Sequence, residues 1–374
     1  MTNLTRPESA RFPSDPMALK TGRIGVLLIN VGTPESTSYW AMRRYLKEFL
    51  SDPRVVDTKG LAWWFILNAI ILTRKPAESG RAYAKIWNQE RDESPLKTIS
   101  RGQAEQIGAR LSAIETNTGI DVAWAMRYGQ PSIAHVLNEL HQRGCDRILL
   151  FPLYPQYSAA TTGTALGKAY ETLQAMCWQP SIRTMPAYYD HPRYIEAVAE
   201  SVREHLTTLS FEPKMILASF HGLPKDFLVK GDPYHCQCQK TGRLLRRALG
   251  FGPDKMVLTF QSQTGRKEWH EPFTDKTVVQ LAQQGVKNLL VVTPGFAADC
   301  VETLEEIAIR ASESFRQHGG SNFSHVPCLN RSEASLGLLS SLIVEQLQGW
   351  LRRAPPTIER RIEAYQERRH SGSS

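Results

Sequence analysis

Regular cysteine spacing is missing from this 374-residue chain: its six cysteines, at 145, 177, 236, 238, 300 and 328, lay out no disulfide framework. An apolar core is missing from the first twenty residues, which carry Pro, Ser, Asp and Glu, so no secretory signal is expected. These two absences predict a reducing, cytoplasmic setting, with any membrane contact peripheral and at the inner face. Long hydrophobic runs are missing too. The most apolar stretch, "GLAWWFILNAIIL" at 60–72, would make a helix of only about 20 Å, too short for ~30 Å of hydrocarbon. It reads either as a buried core helix or as an exposed lip touching membrane or a greasy ligand, flanked by Lys59, Arg74 and Lys75. No arginine-rich block or basic stripe interleaved with aromatics appears, which argues against nucleic acid. The first strand-like run ends in "INVGTPE", without G-x-G-x-x-G, so a nicotinamide enzyme is not expected.

What is present is a mild basic surplus, 45 Lys+Arg against 37 Asp+Glu, or +8, which suits an anionic ligand or an anionic surface. Strand-like and helix-like patterns alternate. "RIGVLLINVGTP" precedes "WAMRRYLKEFL", "VAWAMRYGQP" precedes "IAHVLNELHQRG", and "RILLFPLYP" precedes "TALGKAYETLQAM". That alternation predicts an α/β protein with parallel sheets covered by helices. It also repeats: "IGVLLINVGTP" at 24–34 resembles "KMILASFHGLP" at 214–224, and "LHQRGCDRILLFP" at 140–152 resembles "LAQQGVKNLLVVT" at 281–293. Two similar Rossmann-like halves around a central cleft follow. We place a leader over 1–21, an N-terminal half over 22–188 with the apolar lip, a C-terminal half over 189–352, and a tail over 353–374.

Open α/β sheets bind ligands beyond the carboxyl ends of their strands. His221 ends such a run, "MILASFH", before Gly222 and Pro224 break the chain. It is either a hydrogen-bonded loop histidine or a functional imidazole. The matching strand end in the same half leads into "PGFAADCVETLEEI". There Asp299 and Glu302 have the spacing of a capping box. Asp299, Glu302 and Glu306 also share one helix face, either as a solvated acidic face with Glu306 paired to Arg310, or as a carboxylate row leading to the cleft. An imidazole opposite carboxylates suits a divalent first-row metal or proton transfer near neutrality.

These motifs resemble those of the ferrochelatases. "SFHGLPKDFLVKGDPY", "TFQSQTGRKEW", "PGFAADCVETLEEI", "LFPLYPQYSAATTG", "LLINVGTP" and "AMRYGQP" all match, in family order over roughly 22–350. The resemblance implies the chelatase fold and insertion of Fe2+ into protoporphyrin IX to give protoheme. It makes His221 and Glu302 the catalytic and metal-handling pair, with Asp299 and Glu306 on an acidic path beside them. It places Arg127, Tyr128, Tyr154, Trp269 and Val31 around the macrocycle, and the 60–72 segment on the pocket lip. His221 is then an iron ligand or the acceptor of a pyrrole proton. Many relatives have a histidine where this chain has Cys300. Some relatives carry a [2Fe-2S] cluster, but the carboxyl-terminal triple cysteine is absent here and Ala159 stands at a further ligand position. Cys236 and Cys238, two apart on an expected helix behind Asp232 and Pro233, point in nearly opposite directions. No cofactor is therefore expected beyond the substrate iron. The rival readings are a coproporphyrin or cobalt chelatase of the same fold and, in another class, a non-catalytic tetrapyrrole carrier.

Overall fold

The computed structural model describes residues 22–57, 60–114, 118–265 and 267–351, so the expected leader 1–21 and tail 353–374 lie outside the described residues. The first sheet holds β1 (Arg23–Gly32), β2 (Ile120–Tyr128), β3 (Cys145–Pro152) and β4 (Ser181–Thr184), all parallel, in the order β2-β1-β3-β4. The second holds β5 (Met215–His221), β6 (Met256–Gln261), β7 (Asn288–Val292) and β8 (Asn322–His325), also parallel, in the order β6-β5-β7-β8. Both sheets thus arrange their strands second, first, third, fourth, which is the repeat in three dimensions. The expected architecture of parallel sheets flanked by helices is met.

The central strands are apolar on both faces because both faces are covered. Along β1, Ile24, Val26 and Leu28 point into one core, while Leu27 and Ile29 point into another with Leu137, Leu140 and Ile148. Along β5, Ile216, Ala218 and Phe220 join the same core as Ile24, and Leu217 faces a third with Leu289 and Val291. The inner faces of the two sheets therefore share a single apolar interior. Helices Pro95–Ser112, Pro192–Thr208, Tyr234–Leu249 and Glu333–Gln346 contribute to it, and the last packs on both of the first two. Ser94 and Ser332 start two of these helices by accepting the backbone N–H groups of Lys97 and Ser335.

The apolar 60–72 segment belongs to a continuous helical arm: Leu61–Phe65, a π-helical turn Ile66–Ile71, then Leu72–Ala84. It is a lip and not a core helix. Leu61 is 87% exposed, Trp64 60% and Phe65 61%. Trp63 is half-buried, its indole Nε1 donating to the Leu50 carbonyl at 3.3 Å. Within the segment Leu67 and Leu72 are buried. Lys59 lies outside the described residues. Among the described residues no helix is long and apolar enough to cross a membrane.

Candidate active site

β5 and β6 end side by side, with His221 in register with Gln261. The Gly222 N–H donates to the Gln261 carbonyl at 2.7 Å. A Cβ on Gly222 would come within 2.8 Å of that carbonyl and 3.3 Å of the Trp269 ring, so only glycine lets the strand end and the indole close together here. The His221 ring nitrogen Nδ1 lies 2.7 Å from the Gly222 carbonyl. A carbonyl can only accept, so in the neutral ring the proton is on Nδ1 and the lone pair is left at Nε2. The imidazole is half-buried, with a base or ligand atom available.

Gln261 connects this histidine to the acidic helix, which is a π-helix over Glu302–Ala311. Its side-chain amide donates to the Glu302 carbonyl at 2.8 Å and to Glu306 at 3.4 Å, while its oxygen accepts the Ser219 hydroxyl at 2.7 Å. Ser262, held at a left-handed φ of 65°, turns both its N–H and its hydroxyl toward the Glu306 carboxylate. The "QS" pair is thus a bracket that fixes Glu306 at the end of β6, the strand that flanks His221. The Glu302 carboxylate faces Cys300 and two tyrosines from the first half. Burial, with the charge of Glu302 added, pushes the Cys300 thiol well above its ordinary pKa. Burial above all does the same to Tyr45, helped by the Tyr83 phenol and Glu302, and to Tyr83, helped by Glu302 and Cys300. All three stay protonated and can donate. The Tyr45 hydroxyl donates to the Gly32 carbonyl at the end of β1, 3.2 Å away.

Tyr45 and Tyr83 were not legible as site residues. They sit on helices Tyr39–Leu50 and Leu72–Ala84, and reach Glu302 only because Met42, Tyr83 and Trp87 pack with Tyr45 and Val301 in one apolar cluster. No local motif marks them.

The capping-box reading of Asp299 and Glu302 is corrected. Asp299 accepts the Thr303 hydroxyl at 2.8 Å, the Asn330 amide at 2.6 Å and the Cys328 N–H at 3.3 Å, and its own N–H goes to Asn330. It is a buried anchor for the 328–330 segment, with its carboxylate saturated there, and so is turned away from the expected acidic row. Arg310 pairs with Glu305 at 3.4 Å rather than with Glu306. In a π-helix residues five apart come into register, and the α spacing assumed from the sequence does not apply.

Of the expected macrocycle contacts, Tyr128 is corrected. It is 0% exposed and donates its hydroxyl to the buried Asp52 at 2.9 Å, so it props the site instead of lining it. Arg127 also pairs with Asp52, and its Nη1 lies 3.9 Å from Glu48. Its cation is already matched. Burial alone would raise the Asp52 carboxyl; hydrogen bonds from Thr164, the Arg54 amide and Tyr128, with the Arg127 charge, outweigh it and hold it below the usual value. Tyr154 stands half-buried just past β3, its phenol raised by burial and by neighbouring Tyr128 and Tyr45. Trp269 lies against Gly222 with its buried indole N–H unpaired. Val31 occupies in β1 the place His221 has in β5, one residue before a glycine, and packs with Leu96, Met126, Ala298 and Cys300.

Asp232 accepts the Tyr234 N–H at the head of helix Tyr234–Leu249 and reaches across to Ser158 and Ala159. Cys236 on that helix is exposed and Cys238 wholly buried, so the two thiols diverge. Among the described residues, no three His, Cys, Asp or Glu side chains are gathered as a metal site.

Two repeated parallel four-stranded sheets flanked by helices make the chelatase fold. The same fold occurs in SirB from Bacillus subtilis with Fe3+, with a TM-score of 0.52 at 9% identity over 87% of this chain and 96% of that one. Within that class the chain belongs to the ferrochelatase family, whose model matches residues 23–347. The ferrochelatase of Rhizobium etli is 53% identical over 339 residues, 91% of this chain and 98% of its own. That of Agrobacterium fabrum is 51% identical over 344 residues, 92% and 99% respectively.

Proposed function

We propose that this protein inserts Fe2+ into protoporphyrin IX, releasing two protons and forming protoheme, the last step of heme biosynthesis, with His221 and Glu302 as its working pair. The observation that carries the assignment of roles is the Nδ1–carbonyl contact of His221, which leaves the Nε2 lone pair free at the strand end. A flat porphyrin keeps two N–H groups in its central hole, and insertion needs the ring bent and those protons taken. His221 Nε2 accepts a pyrrole proton. Glu302, beside the neutral Cys300 thiol and near the neutral phenols of Tyr45 and Tyr83, takes up or passes on positive charge, with Glu306 behind it. Apolar walls that fit the bent ring better than the flat one lower the barrier with binding energy from elsewhere on the macrocycle. Val31, Tyr154 and Trp269 are the wall residues in this reading. Iron is a substrate here, not a resident cofactor.

The test is anaerobic mixing of the purified protein with Fe2+ and protoporphyrin IX while the porphyrin spectrum is followed. Conversion to the protoheme spectrum supports the assignment. Preference for coproporphyrin III or Co2+ would move it to the rival chelatases, and tight binding without conversion to a carrier. The same anaerobic protein should carry no acid-labile sulfide and no cluster absorption, because Cys236 and Cys238 face opposite ways. Stoichiometric sulfide, lost on Cys236→Ser, would reverse that reading.

The lip adds a place of work at the membrane surface. Leu61, Trp64, Phe65, Ile66 and Ile70 are exposed, with Arg74 and Lys75 one turn on. Burying about 150 Å² of this surface in lipid contributes roughly 4 kcal/mol at 25 cal/mol per Å², enough for reversible attachment. The basic pair adds salt-screened attraction to anionic headgroups. The protein should sediment partly with anionic vesicles, and Trp64→Ser with Phe65→Ser should weaken both vesicle binding and apparent affinity for protoporphyrin at an unchanged melting temperature. A parent protein that ignores vesicles overturns the lip as a membrane contact.

A further inference from the structure

Glu305 lies next to the proposed proton- and metal-handling residues but points away from them. It is only 7% exposed, and it is met by two cations: Lys85 Nζ at 3.0 Å and Arg310 Nε at 3.4 Å. A buried carboxylate must be paired, so one or both of these contacts is required for the charge to sit there. The two partners differ in what they can fix. Arg310 is on the same π-helix as Glu305 and moves with it. Lys85 follows the helix Leu72–Ala84 of the lip arm, in the other half of the chain. Of the two, Lys85 is the one that ties the acidic helix to the first half.

Two residues before Lys85, Tyr83 faces Glu302, which lies three residues before Glu305. The end of the lip arm therefore meets the acidic helix at two points, Tyr83 packing in one cluster with Val301 and an ammonium at Glu305. Val301 completes the contact by packing with Met42, Tyr83 and Trp87. We propose that Lys85 is a positioning residue for iron insertion, its ion pair with Glu305 holding Tyr83 and Glu302 in their working juxtaposition. This rests on the reading of Glu302 given above.

Lys85→Met removes the charge and keeps the length. Because small misplacements of reacting groups are costly, its kcat should fall about tenfold while KM for protoporphyrin stays within about twofold. The melting temperature should barely move, since Arg310 still neutralises Glu305 and Lys85 itself is half exposed. Lys85→Arg should keep kcat within about twofold, as the pair is retained. A Lys85→Met protein with the parental kcat would overturn the proposal. So would equal losses of kcat and melting temperature in Lys85→Met and Lys85→Arg, which would make the residue merely structural. Glu302→Gln measured alongside separates the two levels. Normal turnover there removes the role of Glu302, whereas an inactive Glu302→Gln beside a normal Lys85→Met removes only the role of Lys85.

Discussion

His221→Ala should lose insertion activity by about 10²–10⁴-fold, the usual scale for a general base, while still binding protoporphyrin within a few-fold of the parent. Binding survives because the walls supplied by Val31, Tyr154 and Trp269 are untouched. Folding survives because the imidazole makes one hydrogen bond, to its neighbour's carbonyl, which is worth on the order of 1 kcal/mol. Stopped-flow absorbance with Fe2+ and protoporphyrin measures the first quantity, and quenching of porphyrin fluorescence the second. Near-normal turnover would sink the role given to His221. Loss of binding together with turnover would show that the imidazole is part of the wall.

Glu302→Gln should also slow insertion by roughly 10²-fold or more, for a different reason. The substitution keeps the size and the backbone carbonyl that Gln261 holds, but removes the charge. Stability should change little. The turn before the helix is secured by Asp299 through Thr303, Asn330 and Cys328, none of which touches the Glu302 carboxylate. Calorimetry beside the activity assay checks this. A collapse of the melting temperature in step with activity would mean that the carboxylate's main work is structural.

The repeat was legible because β1 and β5 carry the same grammar, an apolar run ending one residue before a glycine and three before a proline, and parallel burial leaves that run uninterrupted. His221 drew attention for the same reason, standing where such a run stops, and Glu302 by its place on the helix beyond another strand. The support around them was not. Whether a stretch winds as π or α is decided by packing, so the sequence spacing pointed to Glu306 with Arg310 where Glu305 is the partner. Asp299 has the chemistry of a helix cap, and only the approach of Asn330, thirty-one residues later, turns it elsewhere. Tyr128 reads as a ring for a macrocycle until Asp52 and Phe49 are seen to enclose it. Tyr45 and Tyr83 become neighbours of Glu302 only after two helices of one half meet a third from the other.

The common interior of the two sheets restricts how the protein can move. Swinging the halves apart would pull Phe151 and Leu149 of β3 away from Phe220 of β5 and Leu290 of β7. Exposing each such side chain costs about 1.5–3 kcal/mol. A hinge between the halves is therefore far too expensive to cycle with every turnover. Among the described residues, the arm at Leu61–Ile71 stands outside that interior and leaves Leu61, Trp64, Phe65, Ile66 and Ile70 exposed.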